Sequence, residues 1–210
     1  MGMGNNMKKI LIISGTPKTE GITYSFVRAA EETSKEIGLE YETIALHKEN
    51  LQKCKLCKDG WGICFGEHIC QFDDNFNIIQ EKVKETDAFI YISPVYWGEI
   101  SEDMKIFLDK LRRCQATKQW DKREEEVSFH KAKPSILVAV AGGGGGGILT
   151  ALQEIERAIS QMSGDSWPRY KAGINDFIAV NRWNKDYKLE SLKSAIIAMK
   201  KNANIDPSNM

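Results

Sequence analysis

Four uninterrupted apolar runs constrain this chain more than any other feature: Ile10–Ile13, Ala88–Ile92, Ile136–Ala141 and Phe177–Val180. A strand with one wet face alternates apolar and polar residues, whereas these runs do not alternate. Each is therefore expected to bury both faces, as strands do in a parallel sheet covered by helices on either side. A weaker strand, Tyr41–Ala45, falls between the first two. Helical spacing fills the gaps. Val27, Ala30, Ser34 and Ile37 form one stripe, and Met104, Phe107, Leu108 and Leu111 form another after Ser101, a good N-cap. Leu149, Leu152, Ile155, Ile159 and Met162 make a third, and Leu189, Leu192, Ile196 and Met199 a fourth. Alternating strands and helices predict an α/β fold, a doubly wound parallel five-stranded sheet with helices on both faces.

A length of 210 residues suits one large domain with decorations. The expected division is a disordered start over 1–7, a domain over 8–202 and a frayed tail over 203–210. Two segments break the alternation: a cysteine-rich loop at 46–72 and a charged excursion at 115–133 around Trp120. Lys plus Arg and Asp plus Glu both number 29, so the net charge is zero and a nucleic-acid partner is not expected. No apolar run approaches the roughly 18 residues of a membrane span, and no basic-then-apolar leader opens the chain. A cytoplasmic protein with no membrane partner is the expectation.

Ligands of doubly wound sheets bind at the carboxyl edge of the strands, so the loops there carry the functional reading. The loop after the first strand, Ser14 to Ser25, is rich in hydroxyls and holds one cation, Lys18. It suits a phosphate at a helix N-terminus, or else is a plain connection capped by Thr23. It lacks the Gly-Lys-Ser/Thr ending of a Walker loop. The loop Ser93 to Ser101 sets Tyr96 and Trp97 at the mouth of the crevice, shaped by Pro94 and Gly98. It offers backbone donors and apolar faces to a flat ring, or its aromatics pack into the core or an interface. Six glycines, Gly142 to Gly147, follow another buried strand. They fit the dinucleotide fingerprint by composition alone, and point to close backbone approach or to a hinge.

Three pieces in order, Ser14-Gly15-Thr16-Pro17-Lys18, Asp73-Asp74, and Ser93-Pro94-Val95-Tyr96-Trp97-Gly98 with Ser101, resemble the flavodoxin-like NAD(P)H-dependent FMN reductases. The branch related to iron–sulfur flavoproteins is the most similar. The resemblance implies FMN, with its phosphate on Thr16, Lys18, Gly21, Ile22 and Thr23 and with Ser14 close by. The family usually has Asn where Ile22 stands, so only the Ile22 amide can serve there. The resemblance places the flavin ring against Pro94, Val95, Tyr96, Trp97 and Gly98, with Gly142, Gly143 and Gly144 at its other edge. It implies hydride transfer from NAD(P)H through FMN to a quinone, free flavin or metal complex, in a homodimer or homotetramer. The flavin carries that chemistry, so no catalytic side chain is assigned. His47, His68 and His130 are expected at the surface. The alternative is a non-enzymatic electron carrier, flavodoxin-like or an iron–sulfur flavoprotein.

Cys54, Cys57, Cys64 and Cys70 are metal candidates by chemistry. In the iron–sulfur flavoproteins that this segment resembles, the gaps are two, two and five, whereas here the middle gap is six. Reduced loop cysteines are therefore the favoured expectation over an iron–sulfur cluster or zinc, and no metal site is assigned.

Overall fold

The fold is seen in a computed structural model that describes residues 7–58, 60–120, 133–163 and 173–202, the side chains of 116–120 and 163 excepted. Five strands run parallel: β1 (Lys9–Ser14), β2 (Glu40–Ala45), β3 (Ala88–Tyr96), β5 (Ser135–Val140) and β6 (Ile174–Val180). A two-residue strand, β4 (Glu99–Ile100), folds back antiparallel on the end of β3. With β4 set aside, the order β2-β1-β3-β5-β6 is the doubly wound order of flavodoxin-like sheets. Its switch point lies between β1 and β3.

The apolar runs are continuous because each strand feeds two cores. Leu11, Ile13, Phe89, Tyr91, Leu137 and Ala139 point to one face. There they pack under α2 (Phe76–Lys84), α3 (Glu102–Trp120) and α4 (Ile148–Ser163). Ile10, Ile12, Ile90, Ile92, Ile136 and Val138 point to the other, under α1 (Ile22–Glu36) and α5 (Lys185–Asn202). Successive side chains alternate faces, so a strand buried on both has no polar positions to show.

Several expectations need correction. Met7 is buried, not part of a disordered start. Residues 115–120 continue α3 instead of leaving the domain, while 121–132 lie outside the described residues, as do 1–6, 203–210, His130 and Asp165. Leu149, expected in the α4 core stripe, is 71% exposed. His68 is buried, not superficial. Helix α2 had no expectation at all. No helix among the described residues is long and apolar enough to cross a membrane.

Candidate functional site

The loops at the carboxyl edge are joined one to the next in the order of their strands. Glycine makes each junction. The Gly15 amide donates to the Ile92 carbonyl at 2.9 Å, fixing the start of the first loop against β3. A Cβ on Gly15 would stand 2.5 Å from Ser101 Oγ and 3.1 Å from Met104 Cβ, so only glycine lets this loop reach the start of α3. Ser101 Oγ caps α3 by accepting from the Met104 amide at 3.4 Å, as its sequence position predicts. The Ser101 amide in turn donates to Ser93 Oγ at 3.0 Å, closing the second loop on itself.

The first loop ends in a helix start that no side chain caps. Gly21 occupies the N-cap position with φ 89°, and α1 has no acidic residue in its first turn. Thr23, expected on the phosphate and alternatively as a cap, lies inside the first turn, so the cap alternative fails, and its hydroxyl has no partner among the described residues. The opening amides of any helix lack intrahelical acceptors, so this end presents N–H donors and a positive dipole. Ser14 and Thr16 are buried and spend their hydroxyl oxygens locally. Ser14 Oγ accepts from the Thr16 amide at 3.4 Å and Thr16 Oγ1 from the Lys18 amide at 3.3 Å. The Lys18 side chain is exposed. Ile22 packs its side chain against the α1–α5 core, which accounts for an apolar residue at that position.

The second loop is a hairpin. Val95 pairs with Ile100 and Tyr96 with Glu99, which leaves Trp97 and Gly98 as a two-residue turn. Both have positive φ, 53° and 90°, as a type I′ turn requires. Gly98 suits that conformation and Trp97 does not, so the chain holds a tryptophan where glycine or asparagine would sit more easily. Its indole is fully exposed and Tyr96 is 46% exposed; neither joins the core. Strained backbone of this kind clusters at ligand-contacting sites in proteins generally. Pro94 lies within β3 beyond the end of β1, whose last partner there is Ile92, so its missing N–H breaks no β1–β3 bond.

The glycine run does not act as one unit. A Cβ on Gly147 would fall 2.1 Å from Gly98 Cα and 2.7 Å from its carbonyl carbon and oxygen, so the two loops touch backbone to backbone. A Cβ on Gly142, Gly143 or Gly146 would meet nothing within 4 Å. The close approach inferred from composition is therefore located at Gly147, while Gly142 and Gly143 border open space and Gly144 meets only Trp183, at 3.8 Å. The candidate residues Thr16 to Thr23, Pro94 to Gly98 and Gly142 to Gly144 thus lie on one connected rim. Sequence reasoning missed Gly147 and the loop at Asn181 to Asn184. The Asn-x-x-Asn spacing of that loop, typical of side-chain-stabilised turns, was the available signal.

The cysteine segment packs on α3. Cys54, Cys57, Cys64 and Cys70 line one cavity together with Cys114 of α3, Lys110 and Arg113. Arg113 donates to the Gly60 carbonyl at 2.5 Å and stacks over Trp61 at 4.9 Å. Burial pushes the Cys64 thiol up, against the pull of the Gly62 amide, and burial likewise raises Cys114. Among the described residues no three His, Cys, Asp or Glu side chains are grouped so as to hold one metal ion. The base of the segment is pinned by Asp74, which accepts from Lys110 Nζ at 2.5 Å and from the amides of Gln52 and Phe76 at 2.8 and 3.1 Å.

A family model for NADPH-dependent FMN reductases matches residues 8–162. An iron–sulfur flavoprotein of Methanocaldococcus jannaschii is 38% identical over 104 residues, covering 50% of this chain and 52% of that protein. One from Methanosarcina thermophila is 33% identical over 102 residues, covering 49% and 51%. The chain spans about half the length of these two relatives in the match. An NAD(P)H:quinone oxidoreductase structure from Methanothermobacter marburgensis superposes with a TM-score of 0.62 at 16% identity, covering 96% of this chain and 98% of that one. At that identity the likeness is one of fold.

Proposed function

The chain belongs to the NADPH-dependent FMN reductase family, and from that premise we propose that it is an FMN-dependent oxidoreductase taking hydride from NAD(P)H. The observation that carries this reading is the uncapped, acid-free start of α1, at the end of a loop whose Gly15 abuts Ser101 beside a hairpin that holds an exposed tryptophan at positive φ. A helix N-terminus of this kind fits the phosphate end of FMN. The amides of Ile22 and Thr23, the Thr23 hydroxyl and the Lys18 ammonium would hold it, with Thr16 and Gly21 shaping the turn and Ser14 below. The hairpin from Pro94 to Gly98 would take the ring, and the open space beside Gly142, Gly143 and Gly144 would take its far edge. When bound, FMN accepts hydride from the nicotinamide and passes the electrons to a small acceptor such as a quinone, free flavin or metal complex. The residues of the chain bind, orient and exclude water, so no acid or base is assigned among them.

Thr23→Ala tests the phosphate assignment. A hydrogen bond to a charged group is worth about 1.5–3 kcal/mol, so FMN affinity is expected to fall about tenfold or more. Flavin titration of the stripped protein measures it, with far-ultraviolet dichroism as the control for folding. An unchanged dissociation constant would place the phosphate elsewhere.

Five thiols on one cavity favour a second reading, in which the segment holds an iron–sulfur cluster like that named in the archaeal relatives. Thiolates are suitable donors, but as placed they do not gather around one metal ion among the described residues. The reductase reading therefore routes nothing through a cluster. Protein prepared without oxygen is expected to contain flavin with substoichiometric iron and zinc. Iron near four per chain, as a [4Fe–4S] centre requires, would establish the second reading.

A further inference from the structure

The loop after β6 closes the carboxyl edge at the last strand of the sheet. It runs Asn181-Arg182-Trp183-Asn184 and ends where α5 begins at Lys185. Two asparagines lock it reciprocally. Asn181 Oδ1 accepts from the amides of Trp183 and Asn184, each at 3.0 Å, and Asn184 Oδ1 accepts from the Asn181 amide at 2.8 Å. Asn184 Nδ2 also donates to the Ala179 carbonyl at 3.3 Å, tying the turn to the end of its strand. The amides of Asn181, Trp183 and Asn184 are thereby satisfied, which restrains the backbone of the turn.

What this hydrogen-bonded turn holds out is an indole, 77% exposed. It stands beside the glycine run, where a Cβ on Gly144 would meet Trp183 Cζ3 at 3.8 Å and Cη2 at 4.0 Å. A Cβ on Gly145 would meet Asn181 at 3.6 Å. At its other end the run touches Gly98, next to the exposed Trp97. Two exposed indoles therefore flank the glycine loop, Trp97 at the hairpin end and Trp183 at the β6 end. Arg182 and Lys185 sit either side of Trp183 in the chain, are exposed, and enter no ion pair among the described residues.

An exposed aromatic face on a restrained turn, between two uncommitted cations, matches a flat ring attached to a diphosphate. We infer that Trp183, Arg182 and Lys185 form the docking platform for the adenosine diphosphate half of the nicotinamide substrate. The indole stacks on adenine and the two cations meet the diphosphate. The inference rests on the reductase reading and adds to it where the dinucleotide lies, reaching the crevice from the β6 side.

The probe is ADP-ribose, which carries the adenine and the diphosphate but cannot reduce a flavin. FMN-loaded wild-type protein is expected to bind it in a calorimetric titration. Trp183→Ala is expected to weaken that binding about tenfold, the loss of one ring stack, while Trp183→Phe keeps most of it. Joint replacement of Arg182 and Lys185 by Gln should weaken binding and flatten its dependence on salt. In turnover, Trp183→Ala should raise the KM for NAD(P)H by the same factor and leave kcat and FMN affinity unchanged. Absence of ADP-ribose binding to the wild type, or equal affinity in wild type and Trp183→Ala, would overturn the inference. The titration needs no turnover, so a wild-type flavin that NAD(P)H cannot reduce would sink the reductase reading while the ADP-ribose result still decides this one.

Discussion

Alanine at Gly147 is expected to destabilise the protein by about 2–4 kcal/mol, the sum of an overpacked contact and a left-handed backbone imposed on a residue with a side chain. The new methyl would fall 2.1 Å from Gly98 Cα and 2.7 Å from its carbonyl atoms, at a φ of 78°. Backbone on the receiving side cannot rotate away as a side chain can, so the hairpin and the glycine loop must part. FMN affinity should fall with stability, because the hairpin carries the ring contacts. Gly143→Ala is the control: a Cβ there meets nothing within 4 Å, and the change should stay within about 0.5 kcal/mol. Urea midpoints at unchanged slope measure both. Equal midpoints for the two variants would contradict the backbone contact.

Removing the Asp74 carboxylate should cost about 3–5 kcal/mol, since it leaves a buried ammonium without its partner. The Lys110 and Asp74 side chains are only 2% and 1% exposed and 2.5 Å apart. Asp74 also holds the amides of Gln52 and Phe76, so Asp74→Ala frees the base of the cysteine segment as well as the start of α2. Replacing both partners by apolar residues of similar volume, Asp74→Leu with Lys110→Met, should recover much of the loss. The same pair predicts a pH dependence. Burial alone would raise the Asp74 pKa, but the Lys110 ammonium and the two amides hold it below the ordinary carboxylate range. A depressed folded pKa contributes stability that is fully present above the unfolded value, about 3.9, and is lost as pH falls through the folded one. Thermal melting of the wild type should therefore drop below about pH 4 more steeply than that of Asp74→Asn. Parallel curves would remove Asp74 from the acid response.

The sheet was legible because its strands are buried on both faces, which leaves Ile10–Ile13 and Ile136–Val140 without a polar position. Helix α2 escaped although Phe76, Ile79, Gln80 and Val83 are its buried face. At nine residues it is short, one of its buried positions is a glutamine, and the cysteine segment before it masks its start. The first loop and the hairpin were readable as a candidate site since their residues are contiguous in the chain. What could not be read were contacts between loops. Six identical glycines give no sign that Gly147 alone meets Gly98. Cys114 lies 44 positions after Cys70 yet borders the same cavity. Trp183, a single aromatic in a polar turn, has no periodicity to betray a role. In each case the information lies in the packing of distant segments, not in local pattern.

FMN held on the α1 start and the β3–β4 hairpin is expected to be reduced by a nicotinamide nucleotide. Anaerobic mixing of the FMN-loaded protein with NADPH, and separately with NADH, tests it most directly, with the visible flavin absorbance as the readout. Bleaching of the flavin by one equivalent of at least one nucleotide per chain, and its return when a quinone is added, is the predicted result. A bound flavin that stays oxidised with both nucleotides would contradict the claim.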